Sequence, residues 1–187
     1  RSTPKPSSAA SDVYKRQPHI EQLPGIEDGG FFSAEDVMAR RARLGKRVLI
    51  LDEGGNWKGC GTALKMAEEG HQVVLITPDP LVGKELQRTA ADYPLRQKLA
   101  QLGVRFILES AITRWTPQGA EILSFLDGST SFVEADSLVF ATPNLAEDTL
   151  SRELEDSGLI FLNSRDSAGP RQAPFVISEA RRVALEI

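Results

Sequence analysis

Four glycines crowd the stretch from Asp52 to Gly61, at positions 54, 55, 59 and 61. Without a Cβ, Gly54, Gly55, Gly59 and Gly61 let the backbone come close to a bulky anion, and the amides opening a following helix can then hold a pyrophosphate. Asp52 stands where such a loop puts its first glycine, and its side chain and charge both oppose a nearby phosphate. Trp57 and Lys58 lengthen the loop, and Trp57 is placed to stack on a base or to fill the pocket a nucleotide would occupy; filling is the expectation, because a bulky side chain there blocks the close backbone approach. At the end of the next strand, where an acid would bind ribose hydroxyls, stands Thr77, and no arginine follows directly to favour a 2′-phosphate. Two readings are open: a working dinucleotide site, and a crossover that needs its glycines only for a tight turn.

The other reactive residue types are sparse. With Cys60 as the single cysteine, the chain makes no internal disulfide and supplies no cysteine cage for zinc or an iron–sulfur cluster. Cys60 reads as a small packed residue. His71 reads as a surface residue after a helix and His19 as part of a linker, so no metal-ligand cluster is expected.

The glycines belong to a βαβ pattern. Arg47 to Leu51 is an apolar strand, Thr62 to Glu69 a helix with Ala63, Leu64, Met66 and Ala67 on its packed face, and Gln72 to Thr77 a second strand. Gly70 ends the helix. Ahead of this unit, Pro18 to Gly30 reads as a linker. Ser33 and Asp36 then cap a helix from Ala34 to Leu44 whose buried contacts are Val37 and Met38. After it, a helical stretch from Lys84 to Leu102 is broken or restarted at Pro94. From Gly103 the period changes to two. Val104 to Leu108, Ala111 to Thr116, Ala120 to Leu126 and Ser131 to Glu134 read as strands, with turns at Pro117–Gly119 and Asp127–Gly128. Ser137 to Thr142 is apolar enough to rejoin a parallel sheet. The expected fold is α/β, a Rossmann-like parallel sheet with a β-meander in a three-layer sandwich.

Composition narrows the function classes. The chain has 187 residues, 41% of them hydrophobic, with 22 basic against 26 acidic side chains. That balance leaves no electrostatic footprint for nucleic acid, and no run is apolar enough for a membrane span. A cytoplasmic setting is expected. Residues 1–17 have no periodicity and read as a disordered tail. Within them SDVYKRQ matches the in-frame translation of a transposon end used in sequencing-library preparation, so this segment is read as non-native and the protein as extending upstream. Without it the chain carries 18 basic and 25 acidic residues, a charge of −7.

The segments FSAEDVMA, GKRVLILDE, GGNWKGCGTALKMAEEGHQVVLITP, LGVRF, ADSLVFAT and DSAGPRQAPFVISEARRVALEI, in that order, resemble the carboxy-terminal region of the trimethylamine dehydrogenase, dimethylglycine demethylase and 2,4-dienoyl-CoA reductase group. The GNWKGCGTA wording is similar to the N-methyl-amine demethylase branch. The resemblance implies an upstream barrel holding FMN, a 4Fe-4S cluster, an FAD- or ADP-binding domain, and an NAD(P)H-type domain. Residues 46–145 would be that NAD(P)-binding-like domain, preceded by a linker and helix over 18–45. Residues 146–187 would return to the FAD domain. Asp166 matches the acid that contacts the flavin ribityl or equivalent sugar, and Pro170 and Arg171 match the Pro-Arg that follows; Arg165 replaces the glycine before the acid. ATPN at 141–144 replaces the family's Ala-Thr-Gly turn. The implied partners are the upstream FMN-barrel and FAD domains of the same protein and an electron-transfer acceptor protein. No residue of this chain would be catalytic.

Overall fold

The computed structural model describes residues 23–146 without a break, together with Arg16–Pro18 and isolated helical positions beyond residue 150. The chain divides into two compact units, one of Pro18–Pro143 and one of Arg1–Gln17 with Asn144–Ile187. Arg16–Pro18 (β1) pairs with Asn144–Ala146 (β10) in a two-stranded sheet, so Arg16 and Gln17, expected to be disordered, are extended and paired.

The larger unit is built on a five-stranded sheet. Its strands are Phe31–Ser33 (β2), Arg47–Asp52 (β3), Gln72–Ile76 (β4), Arg105–Ile107 (β5) and Ser137–Ala141 (β9), in the order β2-β9-β3-β4-β5 and all parallel. Three helices, Ala34–Met38 (α1), Trp57–Glu68 (α2) and Asp92–Gln101 (α3), cover one face. The other face carries an antiparallel meander of Ser110–Thr116 (β6), Gly119–Ser124 (β7) and Thr130–Glu134 (β8). The sheet lies between two apolar layers, which is why β3 and β9 read as unbroken hydrophobic runs. Val48 and Ile50 point to the helices, while Leu49 and Leu51 point to the meander. All are buried.

The segment read as a linker is docked. Leu23 is buried, Trp115 N–H donates to the Pro24 carbonyl at 2.9 Å, and the Trp115 indole Nε1 donates to the Gly29 carbonyl at 2.7 Å. This places Phe31 to Ser33 beside β9, where they form a strand not foreseen from the sequence. Ser33 then caps α1: its hydroxyl accepts from the Asp36 N–H at 3.1 Å and donates to the Asp36 carboxylate at 2.7 Å. α1 stops at Met38, six residues before the expected end, because the chain turns through a left-handed Arg40 (φ 59°) and the Asp36 carbonyl takes the N–H groups of Arg41 and Ala42. Val37 is buried as expected, whereas Met38 is 53% exposed.

Lys84 to Leu102 is not one helix but a 3-10 turn over Lys84–Thr89 followed by α3, with Pro94 in the first turn of α3, where its missing N–H costs least. Among the described residues no helix is long and apolar enough to cross a membrane, and no group of acidic, histidine or cysteine residues could hold a metal ion.

Candidate functional site

The glycine region lies at the carboxyl ends of the parallel strands, beside the point where the chain leaves β3 in one direction and β9 lies in the other. In open α/β sheets this is where ligands bind. Its geometry departs from the sequence reading at the first residue of the helix. The Asn56 side chain accepts from the Lys58 N–H at 2.8 Å and starts α2 at Trp57, five residues before the expected start. Trp57 and Lys58 therefore lie in the first helical turn and do not lengthen the loop. Gly59 and Gly61 are helical as well, leaving Gly54 and Gly55 as the glycines of the turn itself. Trp57 is 56% exposed, so the expectation that its ring fills a nucleotide pocket is not met.

Asp52 fills the loop instead. It is the last residue of β3, fully buried, and its Oδ1 accepts from the N–H groups of Gly54 at 3.2 Å and Gly55 at 3.0 Å. Its Oδ2 lies 3.7 Å from the Cys60 thiol, which donates to it. Burial pushes the Asp52 carboxyl up to about 6; the two glycine amides and the thiol oppose the shift, and nearby Asp79 adds to it. Asp52 is thus mostly ionised at neutral pH, and the loop amides that would cradle a phosphate already hold a carboxylate of the same chain. The same burial, and the Asp52 charge, push the Cys60 thiol up, far from the thiolate a reactive cysteine needs.

The glycines differ in what they allow. A Cβ on Gly59 would fall 2.2 Å from the Asp52 carboxyl carbon, so this glycine lets α2 pack flush on the end of β3. Gly55 has φ +57°, and its Cβ would meet the Lys84 side chain at 2.7 Å. Gly61 faces no such neighbour: its nearest contact would be the Trp57 ring at 4.0 Å.

Two polar links close the mouth. Lys58 Nζ donates to the Thr142 carbonyl at 2.8 Å and pairs with Glu35 at 2.9 Å, tying the start of α2 to α1 and to the end of β9. On the β4 side Thr77 is buried, and its hydroxyl accepts from the Asp79 N–H at 3.2 Å. Asp79 was not singled out in the sequence. Its Oδ1 pairs with Lys84 at 2.6 Å, while its Oδ2 is buried with no hydrogen-bond partner among the described residues. Its one sequence signal was an acid three residues beyond β4, close to where a ribose-binding acid stands.

His71 is half-buried, with Nδ1 2.8 Å from the Gly45 carbonyl. Asp166 and Arg171, the residues matched to a flavin site, lie outside the described residues, as does His19. The described site does not fit a dinucleotide: Asp52 occupies the loop amides, and Asp79 adds a second carboxylate within electrostatic reach.

No family model matches the chain. Cinnamate reductase of Clostridium sporogenes is 32% identical to it over an alignment of 127 positions that covers 66% of this chain and 18% of that protein. Dimethylamine dehydrogenase of Hyphomicrobium sp. is 24% identical over an alignment of 196 positions, gaps included, that covers 89% of this chain and 26% of that one. The solved structure of 6-hydroxypseudooxynicotine amine oxidase from Pseudomonas geniculata matches with a TM-score of 0.80 at 23% identity, over 90% of this chain and 27% of that chain. The chain thus spans 18% to 27% of the length of these proteins.

Proposed function

We propose that this chain is part of a flavin oxidoreductase of the trimethylamine dehydrogenase and old-yellow-enzyme-like group, a reading that its likeness to cinnamate reductase and dimethylamine dehydrogenase supports, and that it is a dinucleotide-type domain of such an enzyme that no longer takes NAD(P)H. The observation that carries this reading is the buried Asp52 carboxylate on the amides of Gly54 and Gly55. A pyrophosphate would have to displace a covalently attached anion and then sit beside its charge. The cost of unpairing a buried carboxylate exceeds what two loop amides return.

In this reading the enzyme is of the N-methyl-amine demethylase or NADH:flavin oxidoreductase type. Its FMN, 4Fe-4S and FAD or ADP sites lie in other parts of the protein, with Asp166 and Arg171 contributing to the FAD or ADP site. The present domain shields those cofactors or docks an electron-transfer protein. With 18 basic against 25 acidic residues after position 17, docking to a basic acceptor weakens as salt rises.

Titration of NADH and NADPH into the chain, followed by calorimetry and nicotinamide fluorescence, tests the proposal. No saturable binding is expected up to millimolar nucleotide; micromolar binding of either would reject it. The competing reading, delivery of NAD(P)H to a flavin, is favoured by the flush packing of Gly59 on β3, which a dinucleotide-binding crossover also uses. Bleaching of the flavin by NADH or NADPH in a full-length enzyme would support that reading.

A further inference from the structure

Between β4 and α3 the chain runs as a 3-10 helix of six residues, Lys84–Thr89, although the tight i to i+3 pattern seldom persists beyond about four. Both flanking residues are left-handed, Gly83 at φ 73° and Ala90 at φ 55°. Gly83 adopts this freely, whereas in Ala90 it forces the Cβ toward the following carbonyl. Such a residue persists only where its surroundings hold it.

The glycine turn does the holding. The Glu85 N–H donates to the Gly55 carbonyl at 2.9 Å, and Lys84 Nζ pairs with Asp79 at 2.6 Å. The Lys84 stem lies on the bare α-carbon of Gly55, where a Cβ would come within 2.7 Å of it. Gly83 passes beside α2, with its Cβ position 3.6 Å from Cys60 Sγ. On the apolar side the hold is thin, since Leu86 is the one buried side chain of the six. The elements to either side are anchored separately, by Leu75 and Ile76 in β4 and by Leu95 and Leu99 in α3. A short segment with one apolar anchor, two polar links and a strained end opens more readily than the sheet beneath it.

We propose that Gly83–Ala90 is a self-inhibitory strap. Closed, it covers the β4 side of the glycine turn. It opens as one unit about its two left-handed ends while the sheet stays folded, and opening bares Gly55 and the Asp79 carboxylate. Asp52 stays on its amides throughout, so strap and carboxylate are separate barriers at one mouth.

Native-state hydrogen exchange of the isotope-labelled chain, read by NMR in rising sub-denaturing urea and without nucleotide, tests the strap independently of whether the loop admits NAD(P)H. The amides of Glu85, Leu86 and Ala91 donate to the carbonyls of Gly55, Gly83 and Leu86, so opening of the strap frees all three together. They are expected to share one opening constant that urea hardly changes, while Leu49 and Ile50, paired on both sides in β3, exchange more slowly and quicken steeply with urea. Lys84→Met removes the pair with Asp79 and quickens the three strap amides together, about threefold. Ala90→Gly relieves the left-handed alanine and slows them about threefold. The proposal is overturned if the strap amides follow the urea dependence of Leu49 and Ile50, or if Lys84→Met quickens Glu85 while Leu86 and Ala91 stay unchanged.

Discussion

The carboxyl group of Asp52 lies directly over the α-carbon of Gly59, 2.2 Å from where a Cβ would stand, so strand end and helix start are fitted to each other residue by residue. The two positions should therefore respond together.

Gly59→Ala is expected to destabilise the domain by about 1–3 kcal/mol, because the overpacked contact with a buried carboxylate outweighs the roughly 1 kcal/mol that alanine gains over glycine inside a helix. Gly61→Ala, two residues along the same helix and free of any contact under 4.0 Å, should instead stabilise by up to about 1 kcal/mol. Urea unfolding of the two variants gives the comparison; equal effects at both sites would mean that the fit at Gly59 is not tight. Asp52→Ala combined with Gly59→Ala should recover part of the loss.

Asp52 also sets a pH dependence. Its folded value, about 6, lies above the ordinary 3.8, so the folded state binds the proton more tightly than the unfolded chain. Stability from this group is fully present below about pH 4, falls as the pH rises through 4 to 6, and levels off beyond, a swing on the order of 3 kcal/mol. Asp52→Asn keeps an acceptor for the two glycine amides and removes the titration. Measured against wild type, its relative stability should rise between pH 4 and 6 and stay raised at pH 8. A constant difference across that range would show that Asp52 does not titrate there.

Cys60 should resist thiol reagents in the folded protein at pH 8 and react fully in urea, since it is buried and its thiol is held protonated by burial and by the Asp52 charge. Rapid labelling without denaturant would contradict the packing of α2 on β3.

Trp115→Phe should cost about 2 kcal/mol, from the lost hydrogen bond to the Gly29 carbonyl and the space left in the meander-side core. Because Gly29 and Gly30 lead directly into β2, amide exchange in Phe31–Ser33 should quicken more than in β4.

Much of this architecture was legible in the sequence because its signals are local. The apolar runs of β3, β4 and β9, the positive-φ Gly70 after α2, and the turns around Gly119 and Gly128 all act within a few residues. β2 was not legible: three residues have no period of their own, and their partners, Leu138 to Phe140, lie at the far end of the domain. The start of α2 was misplaced because Gly59 and Gly61 argue against helix, whereas the Asn56 cap and the close approach to Asp52 override that preference. At the site, Asp52 announced itself as an obstacle by type and position. Asp79 did not, since only the folded loop brings it against Gly55.

The seating of β9 between β2 and β3 also sets the order of assembly. Arg47 and Asp136, joined by a backbone hydrogen bond and an ion pair, are 89 positions apart. Until that far segment arrives, β3 keeps one edge bare, and the strand that carries Asp52 cannot be enclosed. On a growing chain nearly the whole domain must leave the ribosome before its central strand is protected. Such long-range closure folds slowly and exposes the half-made sheet to mispairing.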